Sequence, residues 1–540
     1  MFETAELNQK IDKKAYKKQL PELRAQLLQA QFALSKTNTP VIIIISGIDV
    51  AGRGNVVNAL NEWLDTRGLK TIALDSLTDE ERERPYYWRF WRQLPAQGRI
   101  GIFFGGWYVD PIVQTAYQDM KEMRLNETFT HIRRFETMLV EDGALILKFW
   151  LHLSQQEQHK RLKKLEKNPH TQRAVSKRDW KHAKLYHRFT EIAEKAIQYT
   201  DSGNAPWILV EATDWRYRNL TVGQTVLDTL RRHVEAQNLS LPPVIKEEKT
   251  TAENQTPALI IKKEKTTCEN QTPALAPLNK EKETQPISPK SQKPSLIQPI
   301  FPDSKTILDT VDLSQRLDNK TYRSELETYQ GKLHRLAWAA YQKKCSTIIV
   351  FEGWDAAGKG GAIRRMTQAM DARLYQVISI AAPTDEERAH HYLWRFWRHI
   401  PRAGRVTIYD RSWYGRVLVE RVEGFAKEHE WQRAYLEIND FEEQLVKHGG
   451  VVIKFWLHLS QEEQLRRFQE REQVPYKQHK ITEEDWRNRE KWEDYTLAVN
   501  EIVARTSTRF APWTLVAGDD KRFARVQVIK TVCERLEMLL

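Results

Sequence analysis

One long pattern occurs twice in this chain. Gly-Ile-Asp-Val-Ala-Gly-Arg-Gly-Asn at 47–55 matches Gly-Trp-Asp-Ala-Ala-Gly-Lys-Gly-Gly at 353–361, an offset of 306 residues. The same offset relates three more motifs: Trp-Arg-Phe-Trp at 88–91 and 394–397, Lys-Phe-Trp-Leu-His-Leu-Ser at 148–154 and 454–460, and Ala-Pro-Trp at 205–207 and 511–513. A constant offset over about 160 residues predicts two copies of one domain, and 540 residues allow each copy its own core.

A segment of different composition separates the copies. We place the N-terminal copy at 1–235, a linker at 236–303 and the C-terminal copy at 304–540. The linker is rich in Lys, Glu, Thr and Pro, and its sequence IKEEKTTAENQTPAL returns sixteen residues later as IKKEKTTCENQTPAL. Because this composition cannot bury a core, we expect the linker to be disordered. The tandem repeat is more typical of a replicated spacer than of a functional short motif.

Charge and cysteine content narrow the class of protein. The formal net charge of +12 favours an anionic partner such as nucleic acid, an acidic membrane surface or a phosphorylated substrate, although it could also serve solubility alone. The three cysteines, Cys268, Cys345 and Cys533, have neither paired nor metal-like spacing, which favours a reducing compartment. The charged N-terminus lacks a hydrophobic signal region. We therefore expect a cytoplasmic location.

The C-terminal copy alternates predicted strands with predicted helices. Strands are expected at 346–351, 376–381, 406–409, 450–459 and 513–516. The longest helices between them are expected at 431–447, 462–472 and 483–505, and a Trp- and Arg-rich helix at 386–399. This alternation predicts an α/β fold in which a mostly parallel sheet is covered by helices.

A glycine-rich loop follows the first predicted strand of this copy and opens a helix. The pattern Gly353-x4-Gly358-Lys359 in this context predicts a phosphate-binding loop, because glycines let backbone amides approach phosphate oxygens and lysine adds a full charge. The alternative is a glycine-rich turn that only packs helix against sheet. The loop residues expected to bind phosphate are Gly353, Ala356, Ala357, Gly358 and Gly360, together with Lys359.

Two aspartates are candidate metal ligands. The Ser or Thr that usually follows the loop lysine and binds magnesium is replaced by Gly360. Asp355 lies inside the loop, and Asp410 ends a predicted strand at the edge where α/β sheets bind ligands. Two carboxylates together with phosphate oxygens suit Mg²⁺ or Mn²⁺. The alternative for Asp410 is a helix cap.

The N-terminal copy keeps the packing residues of this region and loses the charged ones. Arg53 replaces Lys359, and Phe-Gly-Gly at 104–106 replaces Asp-Arg-Ser at 410–412, whereas the following Trp-Tyr is kept. Two further arginines, Arg416 and Arg421, correspond to Asp110 and Thr115. We interpret the N-terminal copy as an inactive domain that supplies structure or an interface. The alternative is weak phosphate binding through Arg53.

Two further segments of the C-terminal copy are rich in basic residues. The stretch after 460 resembles the lid of nucleoside monophosphate kinases, which closes over phosphates, although a solvated charged helix face is the alternative. Its basic residues are Arg466, Arg467, Arg471, Lys477, Lys480, Arg487, Arg489 and Lys491. The segment 391–398 interleaves aromatic residues with arginines. Because its Trp-Arg-Phe-Trp core is shared by both copies, we favour packing over base stacking, with Arg395 and Arg398 as candidates for facing phosphates.

Together the motifs closely resemble the family-2 polyphosphate kinases. They are the loop at 353–360, Pro-Thr-Asp-Glu-Glu at 383–387, Trp-Arg-Phe-Trp at 394–397, Asp-Arg-Ser-Trp-Tyr-Gly-Arg at 410–416, and Asp-Trp-Arg-Asn-Arg-Glu-Lys-Trp at 485–492. The resemblance covers the C-terminal copy and, in altered form, the N-terminal copy. The tandem arrangement is similar to the two-domain branch, which acts as a polyphosphate:AMP phosphotransferase. Gly415 points the same way, because single-domain members that use ADP tend to have Asn there.

The resemblance implies a tandem of P-loop kinase-like domains, in which the C-terminal copy transfers the terminal phosphoryl group of polyphosphate to AMP with Mg²⁺. It places Asp355, Lys359, Asp410 and Arg411 at functional positions, and the N-terminal copy departs at three of these four. In this hypothesis Asp355 positions the acceptor phosphate and, with Asp410, holds the metal. Lys359 stabilises the transferring group. The residues expected to hold nucleotide and chain phosphates are Arg411, Arg416, Arg421, Lys480, Arg487, Arg489 and Lys491.

Three alternative functions stay open at this point. Two are phosphotransferases: an enzyme that makes ATP from ADP and polyphosphate, and an ATP-dependent nucleoside monophosphate kinase. The third is a non-catalytic protein that binds polyanions or nucleic acid. We expect polyphosphate and AMP or ADP as partners, with no nucleic acid and no membrane, and either a homo-oligomer or an intramolecular pseudo-dimer of the two copies.

Overall fold

Each copy forms a five-stranded parallel sheet. The computed structural model describes residues 1–74, 76–118, 120–167, 175–237, 305–473 and 481–540. The strands of the N-terminal copy are β1 (Val41–Gly47), β2 (Leu69–Ala73), β3 (Ile100–Phe104), β4 (Leu145–His152) and β5 (Trp207–Glu211). Those of the C-terminal copy are β6 (Thr347–Gly353), β7 (Tyr375–Ser379), β8 (Val406–Asp410), β9 (Val451–His458) and β10 (Trp513–Ala517). Every strand therefore recurs at the offset of 306 residues.

The two sheets share one topology. Their strand orders are β2-β3-β1-β4-β5 and β7-β8-β6-β9-β10, and all paired strands run parallel. In both copies the central strand is buried along almost its whole length, as expected for a parallel sheet covered on both faces. The chain leaves the central strand for neighbours on either side of it, so a crevice forms at its carboxyl end. The predicted fold class is confirmed.

Helices fill the connections between the strands. In the N-terminal copy they are α1 (Lys13–Leu34), α2 (Arg53–Trp63), α3 (Asp79–Arg82), α4 (Trp88–Trp91), α5 (Val109–Ala116), α6 (Glu122–Glu141), α7 (Gln155–Lys167), α8 (Lys177–Lys184), α9 (Tyr186–Thr200) and α10 (Trp215–Ala236). In the C-terminal copy they are α11 (Asn319–Gln342), α12 (Lys359–Thr367), α13 (Asp385–Arg388), α14 (Trp394–Trp397), α15 (Val419–Val422), α16 (Glu428–Lys447), α17 (Gln461–Gln473), α18 (Glu483–Glu490), α19 (Trp492–Thr506) and α20 (Lys521–Glu537).

Two predicted helices are each broken in two. The helix expected at 386–399 is α13 and α14, and between them the ring of His391 accepts a hydrogen bond from the backbone N–H of Leu393 at 3.2 Å. The helix expected at 483–505 is α18 and α19, interrupted at Lys491, whose ammonium group reaches Glu423 at 3.0 Å. In both cases a helical side-chain pattern continues across a break in the backbone.

The Trp-Arg-Phe-Trp segments serve packing, as we expected. Trp394 and Phe396 are buried, and the guanidinium groups of Arg395 and Arg398 lie 3.4 and 3.3 Å from Glu387 and Glu386. These arginines are paired with carboxylates of their own copy. The structure thus gives them no role in facing phosphates.

The two copies pack against each other within one compact unit, which excludes the segment 245–305. Trp91 stacks on Trp397, its own equivalent, with ring centroids 5.8 Å apart. Arg402 reaches Glu83 at 2.6 Å, and the backbone N–H of Gln97 donates to Ala389 at 2.9 Å. Arg433 pairs with Asp142. A residue that contacts its own equivalent lies where a two-fold axis would pass.

Most of the linker and its tandem repeat, together with Lys477 and Lys480, lie outside the described residues. The domain boundaries at 235 and 304 therefore stay predictions. Within the described ranges, no helix is long and apolar enough to cross a bilayer.

Candidate functional site

The loop 353–359 joins the central strand β6 to helix α12. Gly353 has φ of 148°, and a Cβ atom there would lie 2.6 Å from the carbonyl oxygen of Leu457, so strand β9 permits only glycine. Gly358 is left-handed with φ of 105° and ends the loop as the N-cap of α12. Lys359 then begins the helix, and its Nζ donates to the carbonyl oxygen of Gly353 at 2.6 Å. The lysine therefore lies across the loop, at the N-terminus of a helix.

Arg467 supports the loop from the lid side. Its buried guanidinium donates to the carbonyl oxygens of Ala356 at 2.9 Å, Ala357 at 3.2 Å and Gly518 at 2.7 Å. The equivalent Arg161 makes the same kind of bonds to carbonyls of the N-terminal copy. Arg467 is one of the basic residues of the predicted lid, but its contacts show that it holds the shape of the loop instead of facing phosphates.

The carboxyl end of strand β8 brings a second set of charged residues to the loop. Asp410 pairs in register with Phe351, two residues before Gly353, and the backbone N–H of Arg411 donates to Phe351 at 3.1 Å. The Arg411 guanidinium lies 3.5 Å from Asp355. Burial lowers the pKa of Arg411, but the carboxylates of Asp355, Glu484, Glu352 and Asp410 outweigh burial and raise the pKa above its ordinary value. The four predicted catalytic residues therefore share one edge of the sheet.

A buried carboxyl group that the sequence did not draw attention to lies beneath this edge. Glu352 is only 4% exposed and accepts a hydrogen bond from the Ser412 hydroxyl at 2.8 Å. Burial raises the pKa of Glu352, against the opposing effects of the Ser412 bond and of the charges of Lys359 and Arg411. The N-terminal copy has Ser46 and Gly106 at the two positions. This difference between the copies, and an acidic residue within an apolar strand, were the available signals.

The lid contacts the loop through two kinds of interaction. The side-chain amide of Asn488 on α18 donates to Asp355 at 2.9 Å. Trp354, inside the loop, stacks on Trp492 at the start of α19, with centroids 3.7 Å apart and planes within 7°. Asn488 was not among the predicted site residues.

The predicted lid cations are largely paired within the protein. Arg487 and Lys491 lie 3.1 and 3.0 Å from the carboxylate of Glu423. Arg489 donates to the carbonyl oxygen of Gln461 at 2.9 Å. Helices α17 and α18 together carry five basic and eight acidic residues, so the described part of this lid is not basic overall.

Arg416 and Arg421 contact residues outside the loop and outside strand β8. Arg421 donates to Glu501 at 2.6 Å and to the Tyr435 hydroxyl at 2.8 Å, and its side chain is 10% exposed. Arg416 lies over the ring of Tyr392 and pairs with Glu420 at 3.2 Å. These contacts do not bring either guanidinium to the four central residues.

The equivalent site of the N-terminal copy is occupied by its own side chains. Arg53 pairs with Asp49 at 2.8 Å and packs over the ring of Phe104, which stands at the position of Asp410. The second oxygen of Asp49 lies 2.5 Å from Nδ1 of His182 on α8. Burial raises the pKa of Asp49, but the His182 hydrogen bond and the Arg53 charge outweigh it and lower the pKa below its ordinary value.

The residues of the C-terminal site fit a hard divalent cation that keeps much of its hydration. The Asp410 carboxylate makes no hydrogen bond or ion pair with any described residue, which leaves its oxygens available as ligands. The described residues contain no cluster of three or more ligating side chains. Of the described residues, the two carboxylates of Asp355 and Asp410 would then bind the cation. Mg²⁺ is typically bound through one or two carboxylates, with substrate phosphates and waters completing its shell.

Comparisons with known proteins agree with this geometry. The family Polyphosphate kinase 2 matches residues 10–238 and 316–539. The chain is 46% identical, over 99% of both chains, to a polyphosphate:AMP phosphotransferase of Pseudomonas aeruginosa, and 34% identical, over 96% of both, to one of Acinetobacter johnsonii. A solved structure from Pseudomonas aeruginosa, described as a polyphosphate kinase 2, covers 100% of this chain with 43% identity and a TM-score of 0.81.

Proposed function

Because this chain belongs to the polyphosphate kinase 2 family, we propose that it transfers the terminal phosphoryl group of inorganic polyphosphate to AMP. One observation carries the proposal: Asp355, Lys359, Asp410 and Arg411 meet at one sheet edge in the C-terminal copy, and three of them are replaced in the N-terminal copy. The relatives that match the full length are named for AMP. One named for ADP, from Rhizobium meliloti, matches 40% of the chain. Three alternatives are therefore not favoured: ATP formation from ADP and polyphosphate, an ATP-dependent nucleoside monophosphate kinase, and a non-catalytic binding protein.

The reaction needs little covalent chemistry from the protein. A phosphate oxygen of AMP attacks the terminal phosphorus of polyphosphate, and the bond from that phosphorus to the bridging oxygen of the chain breaks. ADP forms, and a chain shorter by one phosphate leaves with the bonding electrons. Catalysis then consists of positioning and of neutralising charge on the transferring group.

Each central residue has a role in this scheme. The loop amides and the Lys359 ammonium group bind oxygens of the transferring phosphoryl group. Arg411, only 3.5 Å from Asp355, neutralises charge between donor and acceptor. Asp355 and Asp410 would hold Mg²⁺, or Mn²⁺ in its place. When bound, the metal would screen the repulsion between the two anionic substrates.

The outer cations have a supporting role. Arg487, Lys491 and Arg489 would reach phosphates only after leaving their partners Glu423 and Gln461, which we propose accompanies lid closure. Arg416 and Arg421 have no contact that supports direct phosphate binding, and Lys480 stays a prediction.

We also propose that the two copies form an intramolecular pseudo-dimer, supported by the stacking of Trp91 on Trp397. A cytoplasmic location fits these substrates.

The donor and the acceptor can be tested together. We expect ADP from AMP and Mg²⁺ with polyphosphate as the only donor, and no comparable ADP with ATP as the only donor. ADP formed only with ATP would contradict the proposal, and no turnover with either donor would favour a binding protein.

The two copies supply a matched control. We expect Asp355→Asn to lower kcat by at least about a hundredfold, because one charge in such a site contributes several kcal/mol. Asp49→Asn, the equivalent change, should leave kcat within about twofold, because the described side chains bonded to Asp49 are Arg53 and His182 of its own copy. Equal losses in both variants would contradict the assignment of the site to the C-terminal copy.

A further inference from the structure

The N-terminal copy carries a strongly basic surface on its two lid helices. Helix α7 has five basic and two acidic residues, and α8 has four basic and one acidic residue. The equivalent helices α17 and α18 of the C-terminal copy have five basic and eight acidic residues between them. The pair therefore differs by nine charges, from +6 to −3. The N-terminal copy, which lacks the charged residues of the site, therefore has the more positively charged lid helices.

The lysines of these helices form stripes. On α7 they are spaced i, i+3, i+4 and i+7, and on α8 i, i+4 and i+7, which places each set on one helix face. All of these side chains are exposed. The stripe residues are Lys160, Lys163, Lys164 and Lys167 on α7, and Lys177, Lys181 and Lys184 on α8. We call these seven lysines the basic lid surface.

The chain does not neutralise this surface itself. Within the described ranges, six of the seven lysines have no carboxylate at ion-pair distance; Lys160 pairs with Glu157 at 2.9 Å, and Lys181, one of the six, lies over the ring of Tyr117. Like charges at i and i+4 destabilise a helix. At the equivalent positions of α17, Arg466 and Glu470 form an i, i+4 ion pair at 3.6 Å. The lid helices of the C-terminal copy are thus neutralised by their own acidic residues, whereas the equivalent helices of the N-terminal copy remain cationic.

A ligand of this surface cannot enter the glycine-rich loop at 47–55 of the N-terminal copy in this structure. Asp49 is bound by Arg53 and by His182, which lies on α8 itself. The seven lysines are exposed to solvent, outside the side chains that fill that site. They would therefore hold an extended anion along the outside of the helices.

We propose that the basic lid surface binds the polyphosphate chain at a second, non-catalytic site. The assignment rests on the proposed function, because it takes the occupant from the donor substrate. A linear chain with one negative charge on each phosphate matches a row of point-charge lysines, which bind phosphate without demanding a fixed geometry. A chain held there stays at high local concentration for the catalytic copy of the same molecule.

Binding of long-chain polyphosphate tests the proposal directly. The full chain would carry Asp410→Asn, without Mg²⁺, so that no turnover occurs. The test variant adds Lys→Gln at 163, 164, 167, 177 and 184; at 469 and 473 the C-terminal copy itself has Gln. The control adds Lys→Gln at the exposed residues 10, 13, 14, 17 and 18, which changes the net charge equally. We expect Kd to rise at least about tenfold in the test variant and less than about threefold in the control.

Steady-state kinetics with Asp410 intact separates this proposal from the function it rests on. We expect the test variant to have a raised KM for long-chain polyphosphate, with unchanged kcat, unchanged KM for AMP and unchanged turnover of short chains. Equal effects in the test and control variants would contradict the proposed binding surface but would not contradict the proposed function. Tighter binding of duplex DNA than of polyphosphate, at equal phosphate concentration and lost in the same variant, would also contradict the proposed binding surface. Absence of AMP phosphorylation by the unmodified chain would refute the function itself.

Discussion

At the scale of single residues, Glu352 holds the strand-end residues against the loop. Its hydrogen bond to Ser412 joins the end of β6 to the segment that carries Asp410 and Arg411. Arg411 has φ of 64°, a left-handed conformation that a non-glycine residue adopts only when its surroundings enforce it. Glu352 therefore acts as a positioning residue for Arg411.

Removal of this hydrogen bond should act on catalysis more than on binding. We expect Glu352→Ala to lower kcat about tenfold or more, since one misplaced charged group can remove more than 1.4 kcal/mol of transition-state stabilisation. Glu352→Gln keeps an acceptor for Ser412 and should stay within about threefold of the parent. Steady-state kinetics with AMP and polyphosphate measures both, and a KM effect alone in Glu352→Ala would contradict the positioning role.

Glu352 should also affect how the free energy of unfolding depends on pH. Because burial raises the pKa of Glu352, the folded protein binds its proton more tightly than the unfolded chain. The contribution of Glu352 to the free energy of unfolding is therefore present at low pH and declines as the pH rises from about 4.3, the unfolded value, through the raised folded value. Thermal unfolding between these limits should show that Glu352→Gln gains stability over the parent as the pH rises. A constant difference would contradict a raised pKa.

At the scale of elements, each copy contains the same buried ion pair between a strand and a helix. Lys454 of β9 donates to Glu442 of α16 at 2.7 Å, and Glu442 also accepts from Trp413 and Tyr414. Burial raises the pKa of Glu442 and lowers that of Lys454, and their mutual attraction opposes both shifts. The N-terminal copy repeats the arrangement with Lys148 and Glu136. A feature that both copies keep, although only the C-terminal copy has Lys359 and Asp410, serves the fold.

This pair predicts an asymmetric response to substitution. Lys454→Met should lower the free energy of unfolding by about 3–5 kcal/mol, because it leaves a buried carboxylate without its partner. Adding Glu442→Gln should restore a large part of that loss, since no charge then remains buried. Urea unfolding of the two variants measures this, and a double variant less stable than Lys454→Met would contradict the explanation.

The strands could be predicted more fully than the helices and the site contacts. Apolar runs such as 450–459 identify buried strands directly, and the glycine-rich loop identifies its own position between strand and helix. The break at Lys491 is not visible in the helical side-chain pattern, although the N-terminal copy breaks at the equivalent Leu185. Asn488 was missed because its partner Asp355 is 133 residues distant in sequence.

At the scale of the whole molecule, the repeat has a structural consequence that the sequence only suggested. A constant offset of 306 residues predicts two equal folds, but it does not say whether they meet. The contact of Trp91 with its equivalent Trp397, both 1% exposed, shows that the same face of each copy is buried. The N-terminal copy, which lacks Lys359 and Asp410, still covers this face of the C-terminal copy.

The contacts between the copies should hold them together without a covalent connection. We expect that cleavage at a protease site inserted between 245 and 304 leaves both fragments in one species by size-exclusion chromatography, with polyphosphate-dependent turnover retained. Trp397→Arg should separate the cleaved fragments, because it places an unpaired charge against the buried ring of Trp91. Trp397→Phe, which keeps an aromatic ring at this position, is the matched control and should leave the fragments associated. Separate fragments from the unmodified chain would show that the linker, and not the buried face, keeps the copies together.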